Sequence, residues 1–175
     1  MTPAGFDIRL LTDADAGVET PGFAALLIDA VDSGASVGFL PPLGEAEALA
    51  YWRSVQAARL AGERLVWAAW RGPDLAGSVQ LDLVQRPNGL HRAEVMKLLV
   101  HRRFRRRGLG QALMLAVEAA ARERGRTTLV LDTLAGEPSE RLYAGLGWQR
   151  TGAIPQFARI ADGSLQPTVV YYKLL

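Results

Sequence analysis

One stretch constrains this chain more than any other: an extended segment, a basic glycine-rich turn, a helical segment and a second extended segment follow one another between residues 93 and 133. AEVMKLLV (93–100) is short and mostly apolar, as a buried strand is. From about Leu109 to Arg124 the apolar residues Leu109, Ala112, Leu113, Ala116, Val117 and Ala120 recur at helical spacing, and Gly125 follows as a stop. TTLVLDT (127–133) is again extended. A strand, a helix and a strand of these lengths make a crossover that leaves the two strands parallel.

Around this unit the pattern is antiparallel. FDIRLL (6–11) reads as a first strand, and Pro21-Gly22 opens a helix with Phe23, Leu26, Leu27, Ala30 and Val31 on one side. Residues 33–42 (SGASVGFLPP) are a loop. Residues 44–61 form a long helix with Glu45 and Glu47 in its first turn, where the helix dipole favours anions, and Gly62 ends it. Residues 65–71 and 75–84 flank Gly72-Pro73-Asp74 as a hairpin, and Pro87-Asn88-Gly89 makes a further turn. After the crossover come a short helix (139–146), a strand (149–154), a turn at Asp162-Gly163 and a last strand (168–174). The expected fold class is therefore α/β in the mixed, α+β sense: a mostly antiparallel sheet with one central parallel β-α-β crossover, forming one domain over residues 1–175.

Several chemistries are excluded. With no cysteine there is no disulfide, thiolate metal site or cysteine nucleophile, and two histidines cannot make a multi-histidine metal site. No serine lies in G-x-S-x-G. The first residues do not read as a signal peptide, and no apolar run approaches the ~18 residues of a membrane span, so no membrane partner and a cytoplasmic location are expected. Net charge is only +2, yet HRRFRRR (101–107) packs five arginines into seven positions. Such a run is a solvated face or a contact for a polyanion. Nucleic acid is disfavoured as the polyanion, because the overall charge is near balance and no basic helix or stacking motif accompanies the run.

The run leads into R-R-R-G-L-G-Q (105–111) at the start of the helix. Glycines there let a ligand approach the backbone, the helix dipole adds positive charge, and arginines supply forked donors, so a phosphate or pyrophosphate is the expected ligand. A Walker A string is absent, and the third glycine of a G-x-G-x-x-G fingerprint is replaced by Leu113. What remains is R-x-x-G-x-G, met by Arg105, Gly108 and Gly110, which resembles the coenzyme A pyrophosphate loop of the GNAT superfamily of N-acetyltransferases. L-Y-A-G-L-G-W (142–148) is similar to that superfamily's second signature. Gly136 and Ser139 stand where many members carry asparagine and alanine. GASVGF (34–39), RPNGLHRAEVMKLLV (86–100), LDTLAG (131–136) and ADGSLQPTVVYYKLL (161–175) further resemble the tabtoxin-resistance acetyltransferases.

The resemblance implies acetyl-CoA as co-substrate, with no metal, and a small-molecule amine as acceptor. It implies cofactor contacts from Leu98, Leu99 and Val100, whose backbone would pair with the pantetheine arm, and from Arg105, Arg106, Arg107, Gly108, Leu109, Gly110 and Gln111 around the pyrophosphate. Amines have pKa values of about 8 to 10.4, so a base must take a proton before attack, and a thiolate with pKa near ~8.5 leaves more readily with a proton donor. Tyr143, the tyrosine of the second signature, is the expected general acid. Glu94, a carboxylate on an otherwise apolar strand, is the expected general base, with a salt bridge to Arg92 or Lys97 as the alternative. Asp132, at the carboxyl end of the following strand, is expected to share the base role or hold the acceptor's ammonium. The loop at 33–39 is expected near the acceptor, Arg92 or another nearby arginine on its carboxylate, Lys97 paired with a carboxylate, and Trp67 and Trp70 in the core. The oligomer is expected to be a monomer or homodimer. Protein N-termini or lysines as acceptors, a non-catalytic CoA-binding sensor and a nucleic-acid-binding domain are the alternatives.

Overall fold

A computed structural model describes residues 2–15 and 20–175, apart from the side chain of Thr20. The chain runs through β1 (Asp7–Leu10), α1 (Thr20–Asp32), α2 (Glu45–Leu60), β2 (Arg64–Arg71), β3 (Asp74–Leu83), β4 (Arg92–Val100), α3 (Leu109–Glu123), β5 (Thr128–Leu134), α4 (Pro138–Gly145), β6 (Gln149–Arg159) and β7 (Leu165–Leu174). The strands form one seven-stranded sheet in the order β1-β2-β3-β4-β5-β7-β6. Only β4 and β5 are parallel, and α3 is the crossover between them.

The two faces of the sheet are covered differently. α3 lays Leu109, Leu113, Met114 and Val117 on Val79, Leu81, Leu129 and Val169. These side chains are almost fully buried, and each large one contributes about 1.5–3 kcal/mol of hydrophobic stabilisation. The predicted stripe lies within this buried face, with Ala116 only partly covered, but the buried face is wider than the spacing suggests and also takes in Met114, Glu118 and Ala121. On the opposite face α1 and α2 bury Phe23, Leu27, Trp52 and Val55 against Val66, Ala68 and Leu99. They pack on β2, β3 and β4, and among the described residues neither packs comparably on the β5–β7 part of that face.

The hairpin β6–β7 is longer than its sequence suggests. β6 runs on from Ile154 to Arg159, and β7 begins at Leu165 rather than at 168. Almost every β6 side chain is exposed, so no alternation marks the added residues, and pairing is irregular between Ile154 and Ala158, where Gln156 has φ +53°. The turn at Pro87–Gly89 is a single 3-10 turn. Trp67 is in the core as expected, whereas Trp70 is half-buried with the Arg9 guanidinium 4.3 Å from its ring centre.

Candidate functional site

β4 changes character halfway along. Arg92, Ala93 and Glu94 pair with Thr128, Leu129 and Val130 of β5, and there the parallel ladder stops. β5 turns to β7, pairing with it as far as Leu134, while β4 continues alone on that side to Val100. The cause lies in β4. Ser78 of β3 faces Leu99, but Gln80 faces Met96, so β4 holds one residue too many, and Lys97 at that point has φ +50°. Such a bulge bends its strand and reverses the side-chain alternation beyond it. Val95 therefore packs with α3, whereas Leu99, four residues on, packs with α1 and α2. The result is a cleft between β4 and β5, edged by the backbone of Met96 to Val100. On the other side β3 comes very close at Gly77, where a Cβ would lie 2.7 Å from the Leu99 carbonyl oxygen.

The basic loop and the start of α3 close one end of this cleft. Gly108 is the N-cap of α3, with φ +77° and no side-chain cap. The first intrahelical bond comes from the Ala112 N–H, so those of Leu109, Gly110 and Gln111 are left without intrahelical partners. A Cβ on Gly110 would touch Leu98, Val100 and Leu142, which shows how tightly the helix start abuts the cleft. Arg106 and Gly108 hold left-handed backbones, φ +61° and +77°, of the kind found where successive N–H groups form an anion-binding nest. This is a site for a ligand carrying phosphate and an extended arm, and the residues present fit acetyl-CoA.

The arginines divide into two groups. Arg102 is held by Asp29 of α1 through its backbone N–H and its Nε. Arg103 lies 3.8 Å from Asp74. Arg105 donates from Nε to the Val100 carbonyl at 3.0 Å and from a terminal nitrogen to the Ser33 hydroxyl. Its guanidinium thus ties the loop to β4 and to the end of α1, where the sequence suggested a phosphate contact. Arg106 and Arg107 are exposed and make no ion pair among the described residues. The run is consequently no continuous basic stripe.

Three carboxylates and a lysine collect where the cleft opens. Glu94 and Asp82 oppose each other across β3 and β4, and Asp132 lies on β5. Glu94 is half-buried, in no ion pair with Arg92 or Lys97 among the described residues, and lines an open depression of about 320 Å³ with Glu63 and Asp82. Burial, followed by the charges of Asp132 and Asp82, pushes its pKa up from the ordinary 4.5, and Lys97 and Arg64 only partly oppose this. Asp132 accepts a hydrogen bond of 2.9 Å from the buried Thr168 hydroxyl, which fixes the carboxylate on its strand. Lys97, expected to pair with a carboxylate, has no such ion pair; burial is the largest cause lowering its pKa. Arg92 is exposed at the start of β4, folded against Gly89, two residues before Glu94 and away from the bulge.

Tyr143 projects from α4 and is 7% exposed. Its ring packs against Trp148 and Tyr171, at 6.2 and 5.8 Å between centres, while its hydroxyl makes no hydrogen bond to a described residue. Burial first, then the charge of Asp132, pushes its pKa up to about 12, so the phenol keeps its proton across the physiological range. A network that the sequence does not advertise holds α4 in place. The Trp148 indole donates to buried Glu118 of α3, whose other oxygen takes Lys173 of β7 at 2.6 Å. Glu140 accepts from the Gly136 N–H and the Tyr171 hydroxyl, and Thr133 and Ser139 join their hydroxyls at 2.8 Å. A glutamate inside the otherwise apolar LMLAVEAAA run was the available signal.

Comparison with known proteins agrees with this geometry. Residues 34–148 match the model of the acetyltransferase (GNAT) family. N-acetyltransferase 8B of Rattus norvegicus is 33% identical over 88 residues, 49% of this chain and 40% of the relative. The match thus spans about two fifths of that protein's length. Among solved structures, an N-acetyltransferase of Staphylococcus aureus Mu50 superposes with a TM-score of 0.80 at 16% identity, covering 98% of this chain and 99% of the other. The ribosomal-protein-alanine N-acetyltransferase of Brucella melitensis gives 0.79 at 23%, covering 97% and 99%. A Salmonella typhimurium protein solved with its cofactor acetyl-CoA gives 0.78 at 20%, covering 98% and 94%. At these identities the structures speak for a shared fold.

Proposed function

Starting from a chain that belongs to the acetyltransferase (GNAT) family, we propose that it transfers the acetyl group of acetyl-CoA directly to the amine of a small, amino-acid-like acceptor. The observation that carries this reading is the unpaired second half of β4, running from the carboxylate cluster to the open N-terminus of α3. Acetyl-CoA supplies an activated acetyl thioester, whose carbonyl carbon takes the amine and whose sulfur leaves.

The chain's own groups do the rest. The N–H groups of Leu109, Gly110 and Gln111, with the loop at 105–108, hold the pyrophosphate, and the helix dipole reinforces them. Arg106 and Arg107 add exposed charge, and Arg105 fixes the loop. The backbone edge at Leu98, Leu99 and Val100, unpaired with β5 and taken at the Val100 carbonyl by Arg105, aligns the arm as an added strand would, and an N–H there faces negative charge developing on the carbonyl oxygen. Glu94 takes the proton of the acceptor's ammonium, directly or through one water, and its raised pKa suits a base working near neutrality. Asp132 holds the ammonium beside it. Tyr143 offers its phenolic proton where the thiolate departs; its raised pKa keeps that proton in place beforehand and makes the phenol the weaker acid, so the transfer relies on its position beside the departing sulfur.

The small acceptor is supported by the wide resemblance to the tabtoxin-resistance acetyltransferases and by the acidic cleft, which suits an amine. The tying of Arg102, Arg103 and Arg105 to protein groups argues against a nucleic-acid surface. Calorimetric titration with acetyl-CoA tests the cofactor half of the proposal: saturable binding and a raised melting temperature are expected, since a ligand of the native state stabilises it by mass action. An absence of heat, together with an unchanged melting temperature, would refute it.

A further inference from the structure

The corner of the cleft beside the bulge holds two donors, the Lys97 ammonium and the Gln80 Nε2, that are hydrogen-bonded to no acceptor among the described residues. Lys97 is the only charged residue in the second half of β4, and it holds a left-handed backbone that other residues than glycine seldom adopt. Backbone strain of this kind collects at ligand sites. Its ammonium lies 5.6 Å from the centre of the Tyr51 ring, and a Cβ at Gly38 would come within 3.6 Å of it. α2 and the loop between α1 and α2 therefore roof the ammonium from one side. Glu94 and Asp132 are near enough to favour its charge and Arg64 opposes it, yet none of the described carboxylates forms an ion pair with it.

One strand away the same face carries Gln80, opposite Met96 and fully buried. Its Oε1 accepts from the Tyr51 hydroxyl at 3.1 Å and from Arg64 at 3.3 Å. Because a guanidinium only donates, this fixes which way the amide points, and Nε2 is left buried with no protein partner. An ammonium and an amide N–H without acceptors stand next to the carboxylates assigned to the acceptor's amine. Their complement is a group that only accepts and carries negative charge.

Resting on the small-acceptor reading above, we propose that Lys97 binds the carboxylate of an amino-acid-like acceptor whose amine faces Glu94 and Asp132. Opposite charges at the two ends of this short polar track would align a zwitterion in one sense, amine toward the thioester and carboxylate under Gly38. A site built on buried polar partners rejects an analogue that lacks the matching group, because its own groups are then left unpaired. Lys97 thereby selects free amino acids over their neutral derivatives.

The test is a thiol-release assay with acetyl-CoA on a panel of free L-amino acids and, for each, its carboxamide. Wild type should prefer the free acid. Lys97→Met should lower kcat/KM for the acids about 30-fold or more, mainly through KM, the scale for losing one partner of a half-buried charge pair. It should lower kcat/KM for the carboxamides far less, with any change there coming through Glu94, whose pKa Lys97 helps to hold down, and leave the acetyl-CoA-dependent rise in melting temperature unchanged. Lys97→Arg, which keeps the charge, should retain part of the preference. Equal losses on acids and carboxamides would show that Lys97 only shapes the cleft, and wild-type turnover of both forms at one rate would overturn the assignment even if Lys97→Met did not fold. Turnover of a peptide amine with no free amino acid or carboxamide accepted would instead sink the small-acceptor reading, and this assignment with it.

Discussion

The two faces of the sheet make opposite use of the same strands. Against α3, β3 and β4 present Val79, Leu81 and Val95, and nothing polar interrupts them. Seen from the other side, the same two strands present Gln80, Asp82, Glu94 and Lys97, with partners missing for several polar atoms and, among the described residues, no comparable helix packing over their β5 flank. The first face gains stability by excluding water from matched apolar surfaces. The second holds charges half out of water without full pairing, which disfavours folding and raises or lowers their pKa values. Strand alternation separates the two within β3 and β4, so substitutions at Val79, Leu81 or Val95 should damage folding, whereas those at Glu94 or Lys97, beside the apolar cluster under α1 and α2, should damage chemistry.

The sharpest way to break that contrast is at the joint between the faces. Gly110→Pro should abolish the acetyl-CoA-dependent rise in melting temperature, because it deletes an N–H at the open start of α3 and its ring crowds Leu98, Val100 and Leu142 at the end of the cleft. A retained shift would mean that these N–H groups do not hold the ligand. Next in size, Leu113→Ala on the α3 face should lower unfolding free energy by about 2–5 kcal/mol in urea titration, with kcat per folded molecule unchanged. A comparable loss of kcat would show that the faces are not independent. Tyr143→Phe, although its ring belongs to the same buried cluster as Leu113, removes only the hydroxyl and should lower kcat by about 10² or more while leaving stability and coenzyme affinity nearly as they were. Wild-type kcat in a chemistry-limited assay would reduce Tyr143 to a packing residue.

Smaller effects should appear in pH profiles. With Glu94 as base, kcat/KM should rise along an acid limb centred above 4.5, and Asp132→Asn should move that limb to lower pH, because it removes one of the charges that raise the Glu94 pKa. Glu94→Gln should remove the limb. The smallest effect is on stability. A carboxyl group whose pKa is higher folded than unfolded disfavours folding once pH rises above its unfolded value, and the penalty is complete above its folded value. Glu94→Gln should therefore gain stability relative to wild type between pH 4.5 and neutrality, and be level with it below. A constant difference across that range would mean that Glu94 is not desolvated on folding.

The sequence was legible where one periodicity ran unbroken. The α3 stripe, the crossover and the glycine loop could be read because apolar spacing and glycine placement report local geometry directly. The bulge could not, since MKLL contains no glycine or proline and its left-handed residue is a lysine. Without the bulge, the freedom of β4's second half and the unpaired state of Lys97 are invisible. The R-x-x-G-x-G motif implies a phosphate contact for Arg105 but says nothing of the partners its guanidinium finds in the fold, Val100 and Ser33, which lie five and seventy-two residues away. Long-range partners of this kind, like Glu118 with Trp148 and Lys173, are set by tertiary packing and leave no mark in local spacing.

The central claim is that the cleft beside β4 joins acetyl-CoA to a small amine. Its most direct test is a steady-state assay of thiol release from acetyl-CoA, with the product identified by mass, across free amino acids, amino-acid-like antibiotics, polyamines and peptides. The account predicts amine-dependent thiol release with a free amino acid or amino-acid-like antibiotic as the fastest acceptor, and its N-acetyl derivative as product. Thiol release that no amine accelerates, or a peptide lysine acetylated far faster than every small amine, would contradict it.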